Sequence, residues 1–140
     1  MKRMMLVGRS GCGKTTLVQA VNQLESVYRK TQAMEFHENM IDTPGEYIEN
    51  RSLYKALLIT SIECDIVALV QSCTEEYCVF PPGFAGIFPR PVIGIITKTD
   101  SSGCRRTETE KYLKRSGAGC IYMTSSFTGE GIEEVRRLIE

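Results

Sequence analysis

Apolar and polar positions along the chain alternate between two periods. Met4-Met5-Leu6-Val7 is a short continuous apolar run, and Leu17, Val18, Val21 and Leu24 then recur at helical spacing. That pair predicts a strand followed by a helix that packs on a sheet. Residues 26–32 are polar and basic, a loop by composition. Short strands are expected at 33–37 and 40–42, with Glu38-Asn39 turning between them. Asn50 is placed to cap a helix whose apolar positions are Leu53, Tyr54, Leu57 and Leu58. Residues 66–70 and 91–96 are continuous apolar runs, as expected of strands covered on both faces. Between them, residues 80–91 hold so many prolines and glycines that one helical turn is the most they allow. The phenylalanines of that segment, Phe80, Phe84 and Phe88, are either a folded-back cover or a docking surface, and the cover is the reading adopted. Thr107-Glu108-Thr109-Glu110 fits a capping box, with Lys111, Lys114 and Arg115 suited to the last turn before Gly117. Residues 120–123 read as a final strand, and Ile132, Val135, Leu138 and Ile139 form the inward stripe of a closing helix. The alternation argues one α/β domain over residues 1–140 with a mostly parallel sheet, in which ligands sit beyond the carboxyl ends of the strands.

Composition narrows the partners. The 17 Lys and Arg residues balance 17 Asp and Glu, so no global field draws the chain to nucleic acid or anionic lipid. Met1-Lys2-Arg3 before the first apolar run resembles the start of a signal peptide, but the run ends at Gly8. No later run approaches the ~18 residues of a membrane span. The expectation is a cytoplasmic protein with no nucleic-acid and no membrane partner. Six cysteines form no C-x-x-C pair and are expected to be reduced, mostly buried thiols. Cys73 and Cys78 have no histidine near them to complete a metal site, and His37 is read as a surface strand residue.

The chemistry is concentrated in four motifs. Gly8-Arg9-Ser10-Gly11-Cys12-Gly13-Lys14-Thr15 fits G-x-x-x-x-G-K-[ST], directly after a strand and at the start of a helix. Such a loop turns successive N–H groups inward onto phosphate oxygens, and the helix adds its positive end. Lys14 is expected on the β- and γ-phosphates and the Thr15 hydroxyl on Mg²⁺, with Thr16 completing the nucleotide-binding set. The second motif is Asp42-Thr43-Pro44-Gly45, in which the strand-end carboxylate can hold Mg²⁺ through its water shell and Gly45 can offer a backbone N–H to a γ-phosphate on a mobile loop. The third, Thr97-Lys98-Thr99-Asp100, resembles the [NT]-K-x-D base-recognition motif of the GTPase superfamily. A carboxylate such as Asp100 accepts from both N1–H and the 2-amino group of guanine, while the Lys98 stem can lie across the base. The fourth, residues 124–131, looks like that superfamily's S-A-K-x-G-x-G segment, with Ser125 and Ser126 standing for Ser-Ala and Phe127 in place of the lysine.

Together with Lys30-Thr31-Gln32-Ala33, residues 41–47 and residues 79–84, these motifs resemble the ethanolamine- and propanediol-utilisation GTPase-like proteins of bacteria over nearly the whole chain. The resemblance implies a Ras-like P-loop NTPase fold, three-layer α/β/α with five parallel strands and one antiparallel. It also implies GTP/GDP and Mg²⁺ as ligands, a place near catabolic microcompartments, and a shell or enzyme partner there. Two departures bear on catalysis. Only ten residues separate Thr31, the candidate switch threonine for Mg²⁺ and γ-phosphate, from Asp42. Glu46 stands where signalling GTPases keep the glutamine that orients water. A carboxylate ~4 Å from a phosphate charge repels it by a few kcal/mol at an effective dielectric near 20. The leading expectation is a GTP-binding switch with slow hydrolysis by Lys14, Thr31, Gly45 and Glu46. A small-molecule kinase using ATP, and an interaction module with a vestigial nucleotide site, are the alternatives.

Overall fold

The computed structural model describes residues 2–22, the backbone of 35–37, and residues 39–140. Thr31, Leu24 and the basic loop expected at 26–32 lie outside these residues. In chain order the elements are β1 (Met4–Val7), α1 (Lys14–Val21), β2 (Glu35–His37), β3 (Met40–Asp42), α2 (Glu46–Glu49), α3 (Tyr54–Ser61), β4 (Ile66–Ser72), β5 (Val92–Thr97), α4 (Arg106–Arg115), β6 (Ile121–Met123) and α5 (Ile132–Ile139). The strands form one sheet in the order β2-β3-β1-β4-β5-β6. Pairings β1–β3, β1–β4, β4–β5 and β5–β6 are parallel, and the β2–β3 pairing is antiparallel.

Period-two alternation in β1 divides the core between the two faces. Met4 and Leu6 join Leu17, Val18 and Val21 of α1 and Ile132, Val135 and Ile139 of α5. Met5 and Val7 face the opposite layer, with Leu57 of α3, Leu113 of α4 and the phenylalanines of residues 80–88. These phenylalanines act as a cover: the segment makes one 3₁₀ turn, Phe84–Ile87, and Phe80, Phe84 and Phe88 are all buried. Phe84 lies 5.7 Å from Phe80, 5.5 Å from Phe88 and 5.2 Å from Tyr54, ring centre to ring centre. Strand β4 is buried along its whole length, including Gln71. That buried amide is satisfied at both ends, donating to the Tyr77 carbonyl and accepting from the Val79 N–H. It thereby fixes the course of the chain past β4.

Two expectations are corrected by the fold. The cysteines are not all reduced, because Cys73 and Cys104 form a disulfide. The two residues are 31 apart in sequence, but parallel pairing of Ser72 with Thr97 carries β4 and β5 to a common edge, where the segments that follow meet. The capping box at Thr107 does not form. Helix α4 begins at Arg106, so Thr107 is already inside the first turn, and Thr109 bonds the Arg105 carbonyl instead. Gly45 is buried and caps the one-turn helix α2. Asn50 caps as expected, its side chain accepting from Ser52 N–H, though a 3₁₀ turn intervenes before α3.

Candidate functional site

β1 lies between β3 and β4, and the chain leaves it towards one edge of the sheet before α3 returns it to the other side. Such a reversal opens a crevice at the carboxyl end of the strand, and the glycine-rich loop fills that position. Gly13 adopts φ 97° before α1, a conformation that costs other residues energy. It lets the chain turn directly into a helix whose first N–H groups have no partner in the preceding turn. Lys14 is almost fully buried; its ammonium donates to the Gly8 carbonyl at 2.7 Å and the Arg9 carbonyl at 3.2 Å. The lysine is therefore folded over the loop it belongs to. Cys12 packs beneath, and burial pushes its thiol up despite the pull of Lys14, leaving it a poor nucleophile.

The second motif reaches this loop through packing. The Thr15 hydroxyl donates to Asp42 Oδ2 at 2.5 Å, in a spot where Asp42 is fully buried. Thr43 is tied to the end of β1 through the Leu6 carbonyl, 2.7 Å away. Gly45 follows against Ser10, so closely that a Cβ there would stand 2.1 Å from the Ser10 nitrogen. Glu46, by contrast, is exposed. The acid that approaches the loop is Glu49, one turn on, with Oε1 3.4 Å from Ser10 N. Arg9 is held by the Tyr77 hydroxyl at 2.8 Å and Glu75 at 3.4 Å, which together raise its guanidinium pKa further. Arg9, Glu49 and Tyr77 line a hollow of about 370 Å³ with Ile48, Cys78 and Val79. Glu49, Glu75 and Tyr77 carried no motif or periodicity that would have selected them.

At the other end of the loop the third and fourth motifs meet it. Thr97 Oγ1 donates to the Cys12 carbonyl, and Lys98 Nζ donates to the Gly11 carbonyl at 2.7 Å. Lys98 itself has φ 60°, the only positive φ at a residue other than glycine among those described. The buried Ser125 hydroxyl donates to Asp100 Oδ1 at 2.7 Å, fixing an otherwise exposed carboxylate. Gly13, Thr16, Lys98, Asp100, Ser126 and Phe127 share the wall of a cavity of about 260 Å³. A polar clasp that the motifs did not reveal joins the two loops. Thr99 Oγ1 donates to Glu130, and Arg106 reaches both Glu130 oxygens at 3.0 and 3.2 Å. Arg106 and then Thr99 hold the Glu130 carboxyl below its ordinary range. Thus Asp42, Gly45, Thr97 and Lys98 each contact the Gly8–Thr16 loop or the first turn of α1, Asp100 and Ser126 share a cavity with Gly13 and Thr16, Ser125 holds Asp100, and Glu46 stands out in solvent.

Comparison with known proteins agrees on a relationship. The chain is 45% identical over 136 residues to the propanediol utilization protein PduV of Citrobacter freundii, spanning 96% of this chain and 91% of that protein. It is 37% identical over 119 residues to the probable acetate kinase EutP of Escherichia coli, across 84% of this chain and 75% of that one. The probable acetate kinase EutP of Salmonella typhimurium matches to the same extent, 37% over 119 residues. A family model described as ethanolamine utilisation – propanediol utilisation matches residues 1–140. The chain belongs to that ethanolamine- and propanediol-utilisation family.

Proposed function

We propose that this chain is a guanine-nucleotide-binding protein with a Ras-like P-loop fold. It hydrolyses GTP slowly with Mg²⁺ and serves ethanolamine or propanediol catabolism in the cytoplasm, at or near a microcompartment. The observation that carries the reading is Asp100. Its carboxylate shares a cavity with Gly13, Thr16 and Lys98 and has one oxygen held by buried Ser125. A carboxylate fixed beside the phosphate loop matches the two adjacent donors of guanine, and adenine offers no such pair. Lys14 and the N–H groups opening α1 suit the phosphates. Thr15 and Asp42, bonded to each other at the buried strand end, are the hard oxygen donors that Mg²⁺ takes. The ion would neutralise charge on the phosphates when bound.

Slow turnover follows from what stands around Gly45. Glu46 is a carboxylate, exposed, and has no amide to orient water. Intrinsic hydrolysis should not exceed the ~10⁻⁴–10⁻³ s⁻¹ of unassisted Ras-type proteins. Calorimetric titration with GTP, GDP and ATP in Mg²⁺ tests the binding: GTP should be preferred over ATP by a hundredfold, about 2.7 kcal/mol. Equal affinities would refute the reading. A second reading, phosphoryl transfer from ATP to a small carboxylate, is favoured by the name that the Escherichia coli and Salmonella relatives carry. Acetate-dependent formation of ADP, with acetyl phosphate trapped by hydroxylamine, would establish it in place of the first.

A further inference from the structure

Phe127 is the most exposed large apolar side chain among the described residues, with 91% of its surface open to solvent. A phenyl ring in water is unfavourable, and its place in the fold is not arbitrary. It lies on the wall of the same cavity as Asp100 and Lys98. Its turn is rigid at the root: Ser125 Oγ accepts from the Thr128 N–H at 3.1 Å, and the Ser125 carbonyl accepts from the Gly129 N–H at 2.8 Å. That same Ser125 hydroxyl donates to Asp100. One residue therefore sets both the carboxylate and the turn that carries the ring. The Lys98 stem, on the wall of the same cavity, is held in place by its bond to the Gly11 carbonyl.

From this geometry we infer that Phe127 is a nucleobase platform: its ring covers one face of the purine that Asp100 reads at the edge. The inference rests on the guanine-binding reading and adds a role to it. Stacking on an aromatic ring is tolerant of base identity, because every purine has a π-face. Phe127 therefore contributes affinity for the base, and Asp100 contributes the choice between bases. The two roles are separable by experiment.

Phe127→Ala should weaken GDP and ADP by the same factor, about fivefold to a hundredfold. It should leave displacement by inorganic tripolyphosphate with Mg²⁺ unchanged, because that probe has no base. The chain contains no tryptophan, so Phe127→Trp introduces a single reporter at the cavity lip. Its fluorescence should be quenched by GDP and not by tripolyphosphate, with wild-type GDP affinity retained. An exposed site makes both substitutions neutral for folding, which the unfolding midpoint checks. If the alanine variant keeps wild-type GDP affinity, or the tryptophan is not quenched at saturating GDP, the platform is overturned and guanine reading through Asp100 survives. If the wild-type protein itself binds GDP no better than ADP, the guanine reading fails first. In that case a common loss for both nucleotides in Phe127→Ala would still support the platform, and no loss for either would overturn it.

Discussion

Removing the Cys73–Cys104 disulfide by Cys104→Ser has an effect whose size follows from the structure. Cys73 is fully buried and Cys104 half-buried, so the serine at 104 disturbs the less packed end. Around the bond the native chain has other ties: Cys73 N–H donates to the Thr97 carbonyl at 2.9 Å, and Arg105 N–H donates to the Cys73 carbonyl at 2.7 Å. These hold the two segments together without the sulfurs, so the folded state should change little. The cost falls on the unfolded chain, which regains the freedom of a loop closed over 31 residues. The chain-entropy relation puts that at about 3.7 kcal/mol at 25 °C, a large fraction of the roughly 5–15 kcal/mol that stabilises a domain. Urea unfolding of the oxidised wild type, the wild type in dithiothreitol and the variant should give one high midpoint and two lower ones that agree. Cys120→Ser, at an exposed free thiol, should stay within about 0.5 kcal/mol of wild type. Thiol titration of the unfolded oxidised protein should find four free groups, Cys12, Cys64, Cys78 and Cys120. A loss below about 1 kcal/mol with those four thiols counted would refute the loop-entropy reasoning, whose usual range is 2–4 kcal/mol.

Lys14→Ala removes the ammonium that Gly8 and Arg9 hold over the loop. Hydrogen bonds to charged groups are worth about 1.5–3 kcal/mol, so GTP affinity should fall at least tenfold in calorimetry, with the sheet intact by circular dichroism. Asp100→Asn should exchange GTP for xanthosine triphosphate. Ser125 keeps its hydrogen bond to the retained oxygen, which turns the new NH₂ against the guanine 2-amino group but towards the carbonyl of xanthine. Retained GTP binding with no gain for xanthosine triphosphate would exclude Asp100 as the base reader. Glu130 has a lowered pKa through Arg106 and Thr99, so the folded state favours the charged carboxylate. Its contribution is present above the unfolded pKa and lost as pH falls through the folded one. Wild type should therefore exceed Glu130→Gln in unfolding midpoint at neutral pH, the two converging in acid; a gap that persists in acid would point to another cause.

Much of the molecule was written in local pattern. Four apolar residues and a glycine-rich octet specify β1, the loop and the start of α1, because strand burial, left-handed glycine and helix initiation are all properties of neighbouring residues. The mostly parallel character of the sheet followed from the alternation of strands with helices. The prolines and glycines of residues 80–91 excluded a helix by themselves. What the chain order could not express was proximity across the sheet. Parallel pairing of β4 with β5 joined Cys73 to Cys104, residues with no shared motif. The same pairing set Thr97 and Lys98 against the loop carbonyls of Cys12 and Gly11, 85 and 87 positions away. Helix α4 starts two residues earlier than the capping box predicts, beside Arg105, whose N–H bonds the Cys73 carbonyl across the fold. Helix α2 turned Glu46 out to solvent and brought Glu49 to Ser10, a difference of less than one helical turn that no spacing rule distinguishes. Sequence determines which chemistry is available and in which element it lies. Only the packed sheet decides which side chains meet, because contacts between distant residues are set by layer packing and strand register, to which every element contributes at once.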